Sequence, residues 1–139
     1  MKRRSFTIVS VVAGGLTLAG ASAVLPVRQA CAQTAPARGQ ISYSEDIVPI
    51  FKGWCVECHQ PGGQGYEASH VDLTSYAGLM KGTKFGPVVL PGQPDTSTLI
   101  ALVYGRTSEK IRMPFGHKPL PDCLRSNLWT WIFQGAKDN

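Results

Sequence analysis

Hydrophobic positions along the chain fall into helical rather than alternating patterns. Ile47, Ile50, Phe51 and Trp54 recur at helical spacing. Ser44 precedes them as a candidate N-cap, with Glu45 and Asp46 in the first turn, where acids suit the helix dipole. Pro49 lies five residues past that cap and removes a backbone donor. The first turn should therefore be distorted, or the helix should start later. The pattern predicts a second short helix from Leu73 to Lys81, capped by Asp72 or Thr74 and stopped by Gly82. A third carries Leu99, Ile100, Leu102, Val103 and Tyr104, with Thr96 or Ser97 as cap and Gly105 as its end. The last runs from Asp122 to Gln134, buries Leu124, Leu128, Trp131 and Ile132, and stops at Gly135. Residues 60–65, 85–94 and 107–121 are rich in Gly and Pro and read as loops. No strand alternation and no repeat is found, so the expected fold class is all-α.

The N-terminus reads as an address. Lys2, Arg3 and Arg4 precede an uncharged, apolar or small stretch over residues 6–25, and Ala30-Cys31-Ala32 gives a small-x-small cleavage pattern. The expected division is a signal peptide over 1–32, a flexible leader over 33–42 and one domain over 43–139. The alternative is a retained membrane anchor, since about 20 apolar residues can span a bilayer. Cleavage is preferred because the stretch contains Gly14, Gly15 and Gly20 and a cut site follows. Arg28 and Gln29 make the approach to Cys31 too polar for a lipidation site. Arg3-Arg4 only faintly matches a twin-arginine signal. The mature protein is expected in the periplasm.

Charge then removes one class of function. The chain of 139 residues has a formal charge of +5 from 14 Lys and Arg and 9 Asp and Glu. Four of the basic residues fall in the first 32 positions, which hold no acid, so the remainder is nearly neutral. Nucleic-acid binding, which needs a dense basic footprint, loses its support. A mature chain with few short helices and long loops buries a modest core and needs a staple or a large bound group.

Cys55-Val56-Glu57-Cys58-His59 offers that group. Cys-x-x-Cys-His is the c-type haem attachment signature. Two cysteines three apart on a helical turn share a face, so each sulfur can add to one vinyl group of a porphyrin edge. The next residue then brings its imidazole to the iron. Three other readings compete. A thiol-disulfide pair normally follows a strand, and none precedes this one. Zinc requires four ligands, and His70, His117 and Cys123 are scattered. A structural disulfide here would close a very short loop.

A six-coordinate iron needs a second axial ligand, and Met80, Met113, His70 and His117 are available. Met80 sits on the apolar face of a predicted helix, where core packing explains it. Met113 lies in a polar loop between Arg112 and Pro114, and Pro114 stiffens its backbone. Met113 is the preferred ligand.

The chain resembles a class I c-type cytochrome, and within that group the planctomycete-type cytochrome c domain. The segments that carry the resemblance are 43–51, 55–59, 73–76, Gly82, Pro91-Gly92 with Ser97, Met113-Pro114, and Trp131-Ile132 with Gly135-Ala136. They span roughly residues 43–136. The resemblance implies short helices and Gly/Pro-rich loops wrapped around one covalently bound haem c. It implies thioether links at Cys55 and Cys58, with His59 and Met113 as axial ligands. It also implies haem attachment after export of an unfolded chain. Leu120-Pro121-Asp122-Cys123 departs from the family's usual opening of the last helix, and Cys123 is left as an unpaired thiol, either buried and inert or a route to a covalent dimer.

The expected function is electron transfer, as a periplasmic carrier or as the cytochrome subunit of an oxidoreductase, rather than catalysis by the chain alone. Expected partners are redox proteins: a dehydrogenase, an oxidase or another cytochrome. A membrane enters only if the signal segment is kept. Phe51, Leu99, Leu102, Val103, Leu128 and Trp131 are candidates for the cofactor wall. Arg106, Lys110, Arg112 and Lys118, with Glu109 among them, form a basic cluster around Met113 that could face haem propionates, an acidic partner or solvent. The alternatives are a haem-based gas sensor or peroxidase-like enzyme with a labile sixth ligand, and a thiol-disulfide oxidoreductase.

Overall fold

The computed structural model describes residues 39–139. Signal peptide, cleavage site and most of the expected leader lie outside them. Within them the chain is helical. A π turn, Tyr43–Ile47, runs directly into α1, Val48–Trp54, followed by α2, Gln64–Ser69, and α3, Tyr76–Lys81. A 3₁₀ turn, Pro94–Thr96, leads into α4, Thr98–Val103, and α5, Asp122–Phe133, is last. The described residues contain no strand, only an isolated bridge between Thr83 and Gly86. The all-α expectation holds.

Pro49 shapes the entry as the sequence requires. The cap is Ser42, not Ser44: its hydroxyl accepts from Glu45 N at 3.2 Å, and Asp46 Oδ2 accepts from Ser42 N at 2.8 Å. This reciprocal pair sets the first turn two residues earlier than the charge pattern alone implies. The turn is wide, with Ile47 N donating to Ser42 O at 3.2 Å. The α-helix starts at Val48 with Pro49 in its first turn, where a missing donor does no harm.

Other boundaries also shift for local reasons. Asp72 does not cap α3; its Oδ1 closes a turn on Thr74 N at 2.9 Å and on the Thr74 hydroxyl at 2.7 Å. Ser75 caps instead, accepting from Gly78 N at 3.0 Å. The α3 helix therefore begins at Tyr76 rather than Leu73. Gly82 ends it at φ 76°, where a side chain would strike Gly86 O. Ser97 stands at the N-cap position of α4 without capping it. Its fully buried hydroxyl donates to Gln93 O and accepts from Leu90 N, both at 2.8 Å, which pins the preceding loop.

The core lies where α5 packs against the π turn, the 3₁₀ turn and α4. Phe51, Ile47, Ile100, Leu128, Trp131 and Ile132 are almost wholly buried. Each such side chain contributes about 1.5–3 kcal/mol of apolar burial. Trp129 Nε1 donates to Asp95 Oδ1 at 3.2 Å and ties α5 to the 3₁₀ turn.

Two features differ from the sequence-based expectation. A leader loose through residue 42 is not found, because Ile41 is buried. Its N–H donates to Gln134 Oε1 at 2.8 Å, while Gln134 Nε2 donates to Gly39 O at 2.9 Å. One glutamine just past the last helix holds the incoming chain from both sides. Cys123 is not an unpaired thiol: it is half-buried near the start of α5 and is disulfide-bonded.

Candidate functional site

The end of α1 builds the first half of the site. Phe51 O accepts from both Cys55 N and Val56 N at 2.9 Å, and Cys55 O accepts from Cys58 N at 3.1 Å and His59 N at 3.0 Å. The helix thus tightens into a turn that carries Cys55, Cys58 and His59 on consecutive bonds. Residues 60–65, expected as loop throughout, contain a tight bend in which Gly63 N donates to Gln60 O at 2.8 Å. The chain then returns as α2, an element the hydrophobic pattern does not announce. Tyr66 N donates to Cys58 O at 3.0 Å, and Leu73 N donates to His59 O at 2.9 Å.

Two glycines permit this return. A Cβ at Gly63 would stand 2.4 Å from Cys58 O. A Cβ at Gly65 would stand 2.7 Å from His59 Cε1 and 2.9 Å from each ring nitrogen. Helix α2 therefore lies directly against the imidazole, with only glycine allowing the approach. The Gly-Gly-Gln-Gly run is legible as a loop; its purpose as a close contact with His59 is not.

The donor side chains are uncommitted. Cys55 and Cys58 are free thiols, both half-buried. Gln64 Nε2 approaches Cys58 Sγ at 3.6 Å. His59 Nδ1 is buried and has no hydrogen-bond partner, and burial pushes its pKa down, so the neutral ring is favoured. A neutral imidazole is the form that ligates iron. Two free sulfurs and an unpartnered imidazole on one turn fit a covalently held haem.

The rival chemistries fit less well. Burial, and then the neighbouring Cys58, push the Cys55 thiol up to about 12. A thiol oxidoreductase needs the opposite, a thiolate stabilised near neutral pH. For zinc, no group of three or more His, Cys, Asp or Glu side chains able to hold a metal ion occurs among the described residues.

The sixth-ligand candidates separate by position. Met113 is half-buried and packs against the same core cluster as Cys55. Its N–H donates to Leu102 O at 3.2 Å, which hangs the loop from the end of α4. The Met113–Pro114 peptide bond is cis, and Pro114 is buried. Met80, on α3, also borders the core. His117 and His70 are both exposed; His70, at the end of α2, has its ring stacked on Tyr66 at 5.7 Å.

Residues 55–114 match the family model described as Planctomycete cytochrome C. The chain carries a planctomycete-type cytochrome c domain. The match opens on the first thiol of the domain and closes one residue past Met113, so it includes every candidate ligand except His117 and leaves out α5. A domain of this kind implies covalently held haem c and suggests haem-based electron transfer. No curated protein and no solved structure matches the chain. Among the described residues of this cytochrome domain, no helix is long and apolar enough to cross a membrane.

Proposed function

We propose that this protein is a periplasmic electron carrier, or the cytochrome subunit of an oxidoreductase, working through one haem c. Cys55 and Cys58 hold the group by thioether links, and His59 and Met113 are its axial ligands. The observation that carries the reading is the turn after α1, with two free thiols beside an imidazole whose buried Nδ1 lacks any partner. A bound haem supplies a one-electron iron couple, with a potential that a thioether ligand raises relative to a second imidazole.

The chain's own residues set the conditions around it. Gly65 lets α2 press on the His59 ring and fix its orientation. Phe51, Leu99, Val103, Leu128 and Trp131 are buried and make the surroundings apolar, whereas Leu102 is partly exposed. An apolar wall disfavours the extra positive charge of the ferric state. The N-terminal segment acts as an export signal, and partners are other redox proteins met in brief encounters over small interfaces.

Expression in a host with haem-attachment machinery tests this directly. The exported polypeptide should gain the mass of one haem and stay red through acid-acetone extraction. Its ferric spectrum should show the methionine-sulfur charge-transfer band, and Met113→Ala should lose that band while keeping the covalent colour. A polypeptide weighing only its amino acids would overturn the proposal. Rapid carbon monoxide binding by the wild-type ferrous protein would replace it with the open-site alternative.

A further inference from the structure

We infer that Cys31 stays in the exported protein as the disulfide partner of Cys123, and that the export signal is cut upstream of it, after Ala23. The inference goes beyond the haem reading above and shares with it only the step of export.

Counting sulfurs gives the pairing. The chain has four cysteines, at positions 31, 55, 58 and 123. Cys55 and Cys58 are free, and Cys123 is disulfide-bonded within a single chain. Only Cys31 is left to complete the bond.

The geometry of α5 allows it. Gln134 N donates to Thr130 O at 2.9 Å, so Gln134 continues the helical path just past Phe133. The eleven residues from Cys123 to Gln134 come within about 20° of three full turns and rise about 17 Å. Both side chains therefore lie on one stripe of the helix. The Gln134 end of that stripe already holds the incoming chain, through Ile41 N at 2.8 Å and Gly39 O at 2.9 Å. The eight residues from Cys31 to Gly39 reach about 26–29 Å when extended. That exceeds the length of the stripe. A chain anchored at Gln134 can run back along α5 and set Cys31 beside Cys123, which borders the core near the start of the helix.

The N-terminus supports the earlier cut. Ala21-Ser22-Ala23 is a second small-x-small site. It follows an uncharged run over residues 6–18, whose length falls within the roughly 7–15 residues of an h-region. A cut after Ala32 would put Arg28 between that run and the scissile bond. Cutting after Ala23 gives a mature protein that begins at Val24 and keeps Cys31.

Forming the bond needs an oxidant. Each thiol gives up one proton and one electron; a protein disulfide of the exporting compartment accepts them and leaves as a dithiol. Four cysteines admit three full pairings. Joining Cys31 to Cys123 reserves Cys55 and Cys58 for the porphyrin vinyl groups. It also closes a loop of about 90 residues, which narrows the unfolded ensemble.

The test uses the exported, haem-loaded protein. Its first residue should be Val24. Non-reducing peptide mapping should find the Cys31 and Cys123 peptides joined and should part them on reduction. In denaturant the protein should show no alkylatable thiol before reduction and two after. A start at Gln33, one thiol before reduction, or a disulfide-linked dimer overturns the inference. A start at Met1 overturns the cut at Ala23. Cys31→Ser, Cys123→Ser and the double variant should each lower the thermal midpoint by the same amount, about 10 °C. Losses that add in the double variant, or no loss, would show that no bond joins the two residues. A colourless protein with the crosslink in place would sink the haem reading and leave this one standing.

Discussion

The turn that carries Cys55, Cys58 and His59 and the loop that carries Met113 are held by different means. The turn closes on itself: Phe51 O, Cys55 O and Cys58 O accept from donors within eight residues, and two glycines let the return helix reach the imidazole. The Met113 loop is suspended from elsewhere. Its register depends on Leu102 O, eleven residues back at the end of α4, and on the buried Pro114. Half of the candidate site is thus chain-local chemistry, present once α1 forms. The other half arrives only when α4 has docked, and α4 docks because Ile100 and Val103 are buried where it packs on α5. Damage to the two halves should therefore look different.

The largest difference should appear in cofactor retention. Cys55→Ser/Cys58→Ser should abolish covalent haem altogether, read as the missing mass on the exported polypeptide. Met113→Ala should leave that mass in place and alter only the ferric spectrum. If both variants lose haem equally, the two halves are not separable in this way.

Next is the glycine under the imidazole. Gly65→Ala forces a Cβ to within 2.7 Å of His59, and overpacking of this kind costs about 1–3 kcal/mol. A fall in the urea midpoint of the haem-loaded protein would show it, and an unchanged midpoint would show that α2 yields freely.

A third test asks whether alkaline instability belongs to the frame or to the site. Tyr43 is held up to about 12, first by burial and then by the negative charge of Asp138. It touches Tyr76 edge-on at 5.1 Å and Trp131 at 5.4 Å. In the unfolded chain its hydroxyl ionises near the ordinary value of 10.0. The unfolded state therefore loses this proton first, and stability falls as pH rises from about 10 toward 12. Below that window the Tyr43 contribution is complete. Unfolding curves across it should fall for wild type and flatten for Tyr43→Phe. Equal slopes would show that another group is responsible.

The smallest effect has the opposite sign. Gly53 lies within α1, and a Cβ added there would meet nothing within 4 Å. Gly53→Ala should raise stability by about 0.5–1 kcal/mol in a thermal melt, and an unchanged or lower midpoint would contradict this. Together with Gly65→Ala it separates a glycine that is merely permissive from one that is required.

Much of the fold was legible in the residues. Gly82, Gly105 and Gly135 follow helices at φ 76°, 67° and 101°, conformations that only their lack of a side chain makes easy. The apolar stripe of Leu124, Leu128, Trp131 and Ile132 names its own buried face. The spacing of Cys55, Cys58 and His59 is chemistry written within one turn. These features depend on neighbours a few positions away, so the sequence alone determines them. Tertiary structure decided the rest. Helix α2 exists where its backbone can bond Cys58 O and its glycine can face His59. Ser97 turns inward because Leu90 and Gln93 offer it partners in the interior. Ile41 is held because Gln134, 93 residues away, accepts its N–H. Contacts between distant segments leave no periodic mark on the chain, since each partner satisfies local rules equally well without the other.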